Sequence, residues 1–257
     1  MTVDNRVRHA IILAAGMGSR LRPYTDDRPK PLVEVNGIPI LIRALGNLAV
    51  VGVEAVTIVV GYRQDDIRSL VGDRFGTIAI YYVEAPDFST TGSAWSLWLA
   101  RAVLEANDVL LLEGDVVFES ALLSRIADKT AKNVTAVARF QPSMQGSAVT
   151  IGPDDAITEV KTGQTASQMG AEGPTLHKTI NISRFSREMS VSVLLPHLAQ
   201  CADVGDRGLF IEQVLQRIAE RDELDLVAVP CDDLKWFEID SPEDLGEAEA
   251  LFSDQLN

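Results

Sequence analysis

The sequence predicts an α/β protein built on a doubly wound sheet that is mixed but mostly parallel. Short apolar segments rich in β-branched residues alternate with segments in which apolar residues recur at helical spacing. This alternation is typical of βαβ units, whose strands pair in parallel. The chain has 257 residues and 46% of them are hydrophobic, so we expect a single domain over 1–257 with a sizeable core.

The first half of the chain supplies most of this pattern. Continuous apolar runs predict strands at 9–15, 55–60, 78–83, 109–113 and 134–140. Helical spacing between these runs predicts helices at 39–51, 63–71, 93–104 and 119–128. Ser93 is the expected N-cap of the third helix, because a serine hydroxyl can accept a free N–H of the first turn.

After residue 140 the pattern is less regular and predicts a small inserted lobe within the same domain. Segments 147–151 and 157–161 flank Gly152-Pro153-Asp154-Asp155, which is typical of a hairpin turn. Residues 162–177 are rich in small polar residues and are expected to form a mobile loop over the site. A hairpin and loop at about 141–178 would thus form the substrate lobe.

The last part of the chain returns to alternating strands and helices. Strands are expected at 179–185, 226–229 and 236–239, and helices at 187–200 and 209–220. The N-terminus of the final helix has residues that favour helix initiation: Ser241 as N-cap, Pro242 at the first helical position and acidic residues in the first turn.

The motif that says most about function follows the first predicted strand, where an apolar run meets two glycines and then basic side chains. Without a Cβ, glycine lets a backbone turn tightly and approach a ligand. Successive N–H groups in such a turn form a concavity that suits phosphate oxygens. We therefore predict a polyphosphate site. Its residues are Leu13, Ala14, Ala15, Gly16, Met17, Gly18, Ser19 and Arg20, with Lys30 nearby.

Two better-known phosphate loops do not fit this motif. The dinucleotide fingerprint needs a third glycine three residues after the second, and that position is Leu21. A Walker loop needs a glycine, four further residues and then Gly-Lys-Ser/Thr, and no such string occurs.

Two aspartates are the expected metal ligands. Asp115 and Asp240 each follow a predicted strand, and ligands of doubly wound sheets bind beyond the carboxyl ends of strands. Mg²⁺ typically takes one or two carboxylates together with phosphate oxygens. The alternatives are a turn residue for Asp115 and an extra helix cap for Asp240.

Charge and cysteine content limit the partners. A net charge of −14 argues against nucleic acid and against an anionic membrane surface. Cys201 and Cys231 lack metal-ligand spacing, which favours a reduced, cytoplasmic protein.

Taken together, these residues resemble the sugar-nucleotide type of nucleotidyltransferases. The family pattern Ala-Ala-Gly-x-Gly-Ser/Thr-Arg-Leu-x-Pro, with a lysine shortly after, is matched from Ala14 to Pro23 and by Lys30. Over nearly its whole length the chain is similar to the phosphocholine and phosphonate cytidylyltransferases, whose Lys-Thr-Val-Asn-Ile motif is approximated from Lys178 to Ile182.

The resemblance implies a Rossmann-like nucleotidyltransferase fold and a set of site residues. Arg20 and Lys30 would be catalytic, holding the β/γ-phosphates and the α-phosphate region of the nucleotide. Asp115 would contact the nucleotide and, with Asp240, hold Mg²⁺. The remaining binding residues would be Thr91, Gly92 and Ser93 for base and ribose, and Lys161, Lys178 and Asn181 for the acceptor.

The implied function is a Mg²⁺-dependent cytidylyltransferase that transfers CMP from CTP to a small anionic phosphonate or phosphate acceptor. Alternatives are a hexose-1-phosphate nucleotidylyltransferase using UTP or dTTP, a phosphocholine cytidylyltransferase, and a non-catalytic nucleotide-sensing module. A homodimer is left open.

Overall fold

The structure is a computed structural model that describes residues 7–165, 175–203 and 205–253. The strands are β1 (His9–Ala14), β2 (Glu34–Val35), β3 (Ile38–Pro39), β4 (Ala55–Val60), β5 (Arg74–Phe75), β6 (Ile78–Glu84), β7 (Val109–Glu113), β8 (Val116–Phe118), β9 (Val134–Arg139), β10 (Gly146–Ile151), β11 (Ile157–Gln164), β12 (Leu176–Phe185), β13 (Val227–Pro230) and β14 (Trp236–Glu238).

The helices lie between these strands along the chain. They are α1 (Ile40–Val50), α2 (Gln64–Val71), α3 (Ser93–Leu99), α4 (Arg101–Ala106), α5 (Ser120–Asp128), α6 (Arg187–Met189), α7 (Leu195–Asp203), α8 (Ile211–Ala219) and α9 (Pro242–Leu251). A π-helical turn, Ser190–Leu194, joins α6 to α7. None of the described helices is both long and apolar enough to cross a membrane.

One mixed sheet of ten strands runs through the molecule. Its centre, β6-β4-β1-β7, is parallel, with His9 of β1 opposite both Ala55 and Val109. β12 pairs antiparallel with β7, and β10 and β11 continue the sheet beyond it. β9 pairs with β12 and β13. This arrangement is the mixed α/β sheet that the sequence predicts.

Strand β1 is buried on both faces, as a strand in a doubly wound sheet must be. Ile12 belongs to the core that α1, α2 and α5 cover, whereas Ile11 and Leu13 belong to the core on the other face. The second core is closed by α3, α7 and α8. Helices on both faces leave the carboxyl ends of the central strands as the open edge of the sheet.

The predicted third helix differs from the observed one. It is divided at Ala100 into α3 and α4, and its N-cap is Gly92 rather than Ser93. The Ser93 hydroxyl does not cap its own helix; it accepts the backbone N–H of Ile211 at 3.0 Å. The Ser93 hydroxyl, which the sequence predicts as a local helix cap, therefore makes a tertiary contact instead.

The predicted hairpin of the inserted lobe is present as the antiparallel pair β10–β11. Strand β10 also pairs with β12, so the lobe extends the main sheet. The loop predicted at 162–177 is shorter, because β11 continues to Gln164 and β12 begins at Leu176. Residues 166–174 of that loop lie outside the described part of the chain.

Candidate active site

A cleft of about 700 Å³ opens where β1 and β7 end. Most of the residues predicted from sequence line it. They are Leu13, Ala14, Ala15, Gly16, Gly18, Ser19, Arg20, Lys30, Thr91, Gly92, Ser93, Asp115, Lys178, Asn181 and Asp240. The topology has thus gathered residues from both halves of the chain at the edge of the sheet where ligands of this architecture bind.

The glycine loop is shaped by Gly18. Its φ of +60° lies in the left-handed region, and a Cβ there would come within 2.9 Å of the Lys30 Cβ. The Gly18 carbonyl accepts hydrogen bonds from the Leu21 N–H at 3.0 Å and the Thr25 hydroxyl at 2.9 Å. A glycine is needed at this position because the loop packs directly on the lysine that reaches into the cleft.

Lys30 joins two aspartates at the centre of the cleft. Its Nζ donates to Asp115 Oδ2 at 2.8 Å and to Asp240 Oδ1 at 2.7 Å. Burial disfavours the charged ammonium, but attraction from both carboxylates outweighs burial and raises the Lys30 pKa. Burial opposes ionisation of Asp240 too, yet Lys30 and Arg20 hold its pKa below the usual range.

Arg20 reaches the same group from the surface. Its Nη2 lies 2.9 Å from Asp240 Oδ1, and 69% of its side chain is exposed. An exposed guanidinium anchored at one point is free to turn towards a phosphate. Met17, by contrast, is not among the residues that line the cleft.

The aspartates fit a divalent cation. Asp115 Oδ1 is buried and finds no hydrogen-bond donor among the described residues, so it has a free acceptor position. Asp240 lies close enough to Asp115 to share one cation with it, because the single ammonium of Lys30 donates to both carboxylates. Carboxylate oxygens are the ligands that Mg²⁺ prefers.

Two further carboxylates near the aspartates were missed from the sequence. Glu113 and Glu238 each precede a predicted ligand by two residues, and oxygens of Glu113, Asp115 and Glu238 lie within 4.8 Å of one another. Residues two apart on a strand face the same side, so the spacing itself was a usable signal. Burial raises the pKa of both glutamates, and neighbouring carboxylates add to the rise.

A β-bulge brings the predicted acceptor residues to the cleft. The register of β12 against β9 shifts between Thr179 and Ser183, and Asn181 has a φ of +60°. In a regular strand, residues three apart face opposite sides. The bulge allows both Lys178 and Asn181 to reach Glu238, with hydrogen bonds of 2.7 and 3.1 Å.

Lys161 is not brought to the cleft with the other predicted residues. Its Nζ pairs with Glu159 at 2.9 Å, and the next residues along β11, Thr162 to Gln164, line the cleft in its place. A role of Lys161 towards the acceptor stays a prediction.

Glu212 is a cleft residue for which the sequence holds no signal. It lies in the first turn of α8, where acidic residues are common on any helix. Burial raises the pKa of its carboxyl. Only the packing of α8 against α3 and β11 places this side chain in the cleft.

The fold and the cleft together define the class of protein. The structure superposes on the CTP:phosphocholine cytidylyltransferase of Streptococcus pneumoniae with a TM-score of 0.76 and 20% identity, covering 96% of this chain and 100% of that one. The fold is therefore that of the nucleotidyltransferases.

The sequence comparison gives the family. Residues 9–156 match the Nucleotidyl transferase family, and the chain belongs to it. It is 37% identical over 246 residues to the CMP-5'-(3-aminopropyl)phosphonate synthase of Streptomyces rubellomurinus, covering 95% of this chain and 38% of that protein. It is 35% identical over 109 residues to the 2-aminoethylphosphonate cytidylyltransferase of Lancefieldella rimae, covering 42% of this chain and 43% of that protein. The matches thus span less than half the length of these relatives.

Proposed function

We propose that this nucleotidyltransferase is a Mg²⁺-dependent cytidylyltransferase that transfers CMP from CTP to a small phosphonate or phosphomonoester. The observation that carries the proposal is the convergence of Lys30, Asp115 and Asp240 beside the glycine loop. A triphosphate and an anionic acceptor repel one another, so a site that joins them needs cationic groups at this point.

The reaction has a simple balance. An oxygen of the acceptor attacks the α-phosphorus of CTP, the new P–O bond forms, and the bond to pyrophosphate breaks. The acceptor oxygen is already anionic at neutral pH, so no general base has to remove a proton. Positioning and electrostatic stabilisation carry such transfers.

The residues of the cleft have separate roles in this scheme. The glycine-loop N–H groups and Arg20 orient the β- and γ-phosphates, and Lys30 stabilises charge on the α-phosphoryl oxygens. Asp115 and Asp240 would hold Mg²⁺, which neutralises triphosphate charge when bound. The Lys30 ammonium now lies between these two carboxylates, and it would be available to the nucleotide where they hold a cation instead.

The choice of CTP and of a phosphonate rests on the relatives and on the cleft. Of the two relatives described above, one is named as a synthase of a CMP-linked phosphonate and the other as a phosphonate cytidylyltransferase. The turn at Thr91, Gly92 and Ser93 borders the cleft and offers a place for base and ribose. Lys178 and Asn181 line the cleft at the bulge of β12 and would face the acceptor.

Pyrophosphate release is the test, measured with four nucleoside triphosphates against phosphonates, phosphocholine and hexose 1-phosphates. We expect CTP with a small phosphonate to give the highest kcat/KM. Faster turnover of UTP or dTTP with a hexose 1-phosphate would favour the sugar-nucleotide alternative. Nucleotide binding without any turnover would favour a sensing module. The Lys30→Met variant serves as the inactive control.

A further inference from the structure

The glycine loop has little support on the side that faces the cleft. Gly16, Ser19 and Arg20 are exposed. A Cβ at Gly16 would meet nothing within 4 Å in the part of the chain that the structure describes. Such a loop binds phosphate best when its backbone is already held in one conformation, because ordering a flexible segment weakens binding. The hydrogen bonds that hold this backbone from behind therefore bear on how the site binds a nucleotide.

Tyr62, in the turn between β4 and α2, contacts the chain both before and after the glycines. Its backbone N–H donates to the Ala15 carbonyl at 2.9 Å, where β1 ends and the loop begins. Its hydroxyl donates to the Thr25 carbonyl at 3.0 Å and lies 3.2 Å from the carbonyl oxygen of Asp26. One residue from a separate part of the sheet thus holds both ends of the loop.

Thr25 connects Tyr62 to the centre of the loop. Its side chain is buried, and its hydroxyl donates to the Gly18 carbonyl at 2.9 Å. Its methyl group, Cγ2, would lie 3.2 Å from a Cβ at Gly18. A hydroxyl and a methyl of one buried side chain therefore hold the residue whose left-handed conformation turns the loop.

The same turn also contacts a wall of the cleft. The ring of Tyr62 lies 6.2 Å from that of Phe88, centroid to centroid, and Phe88 lines the cleft. A Cβ at Gly61 would come within 2.7 Å of the Phe88 Cβ and 2.8 Å of the Ala15 carbonyl oxygen, so the backbones pack directly. Neither Tyr62 nor Thr25 itself lines the cleft. Any effect of these two hydroxyls on a ligand must therefore pass through the glycine loop.

We propose that Tyr62 and Thr25 are positioning residues that hold the glycine loop in the conformation that binds the triphosphate of the nucleotide, a role that rests on the function proposed above. Without either hydroxyl the loop can adopt other conformations, and the apparent affinity falls with the fraction that remains competent. Lys30 is held separately by its two aspartates, so kcat should fall less than the KM of CTP rises.

The test measures the nucleotide and the acceptor separately in the parent, Tyr62→Phe and Thr25→Val. Pyrophosphate release gives kcat and the two KM values, and calorimetry gives the Kd of CTP and of inorganic triphosphate. Tyr62→Phe keeps the backbone N–H and the ring and removes only the hydroxyl. We expect each variant to raise the KM of CTP and both Kd values by about 3- to 10-fold, the effect of losing one neutral hydrogen bond, and to leave the KM of the acceptor unchanged.

Tyr82→Phe is the matched control. Tyr82 is half-buried like Tyr62, and its hydroxyl also donates to a backbone carbonyl, that of Gly72, at 2.6 Å. Gly72 follows α2, and neither of these two residues lines the cleft. We expect Tyr82→Phe to lower Tm about as much as Tyr62→Phe does and to leave the Kd of CTP and of inorganic triphosphate unchanged.

Two further variants test whether the hydroxyls act together. Thr25→Ser keeps the hydroxyl and should retain the nucleotide affinity of the parent. The double variant Tyr62→Phe/Thr25→Val should lose less affinity for CTP than the product of the two single losses, because both groups hold the same loop. Losses that multiply in full, or a Thr25→Ser variant as weak as Thr25→Val, would overturn the proposal.

The remaining outcomes separate this role from ordinary stability and from the proposed function. A lower Tm with unchanged Kd of inorganic triphosphate in Tyr62→Phe, or an equal loss of affinity in Tyr82→Phe, would leave the Tyr62 hydroxyl a structural role only and overturn the proposal. If no acceptor is turned over with any nucleotide, the proposed function fails, and the Kd values still decide the positioning role. A parent that binds neither CTP nor inorganic triphosphate overturns it.

Discussion

Lys30 Nζ lies 2.7 Å from Asp240 Oδ1, although 210 positions separate the two residues along the chain. Only 12% of the Lys30 side chain and 20% of the Asp240 side chain are exposed. The ammonium lies between the carboxylates of Asp115 and Asp240, and it links the segment after the glycine loop to the residue before the N-cap of α9.

Replacing Lys30 by methionine should affect activity and stability together. We expect kcat to fall by about 10²-fold or more, in line with the loss of one oxyanion-stabilising group. The variant leaves Asp115 and Asp240 without their ammonium, and breaking a buried ion pair typically costs about 3–5 kcal/mol. Kinetics and urea denaturation measure the two effects.

Magnesium should restore part of the stability that the Lys30→Met variant loses. A cation that binds only the folded state raises the free energy of unfolding. Lys132→Met, at an exposed lysine paired with Glu188, is the matched control and should change little. A normal kcat in Lys30→Met would remove Lys30 from the mechanism.

The metal role of Asp115 and Asp240 predicts non-additive losses. Asparagine keeps the shape of the side chain but not its charge, so each single variant should lower kcat by at least about 10²-fold. The double variant should lose little more, because residues that act as a unit are not additive. Mg²⁺ titrations of activity measure both effects.

The alternative role for Asp240 gives a different result. If Asp240 only supports α9, Asp240→Asn lowers Tm and leaves the Mg²⁺ dependence of kcat unchanged. Asp155→Asn, on an exposed aspartate paired with Lys129, is the control and should keep both properties.

Gly92 should tolerate no side chain. A Cβ there would lie 2.1 Å from the Leu209 carbonyl oxygen and 2.6 Å from that of Gly208, so the backbone would have to move. We expect Gly92→Ala to lower the free energy of unfolding by about 1–3 kcal/mol. Gly46→Ala is the control: nothing lies within 4 Å of its Cβ, and alanine in the middle of α1 should stabilise by about 0.5–1 kcal/mol. Equal Tm values for the two variants would contradict this packing.

Asp233 should contribute to acid stability. Hydrogen bonds from Arg125, at 2.5 and 2.8 Å, lower its pKa to about 2. The unfolded carboxyl titrates near 3.9, so the unfolded state takes up the proton first. The stabilising effect is present above about pH 4 and is lost as pH falls towards 2.

The Asp233→Asn variant isolates this effect from other acids. Between pH 5 and pH 2 the parent should lose more Tm than the variant, because only the parent has this carboxylate to protonate. An NMR titration of the side chain checks the pKa directly, and a value near 4 would rule out the ion pair in solution.

The local amino-acid composition was sufficient to predict the central strands and the phosphate loop. Residues 55–60 and 109–113 were predicted with the bounds that the structure has, because strands buried on both faces are continuous apolar runs. Gly18 and Lys30 stood out because a loop that lets its backbone approach a ligand needs glycine and charge close together in sequence. Asp115 and Asp240 could then be assigned to the same edge of the sheet, because ligands of doubly wound sheets bind beyond the carboxyl ends of the strands.

Packing between segments distant in the sequence decided which side chains are buried and which partners they have in the cleft. The sequence placed Lys30 near the glycine loop, but only the structure shows that it is buried between two carboxylates. Ser93 was predicted as a cap and instead bonds to Ile211, and Glu212 reaches the cleft only because α8 packs against α3. A periodic pattern shows which face of an element is buried. It does not show which element covers that face, so burial, charge pairing and the surroundings of Glu113 and Glu212 were set by the tertiary structure.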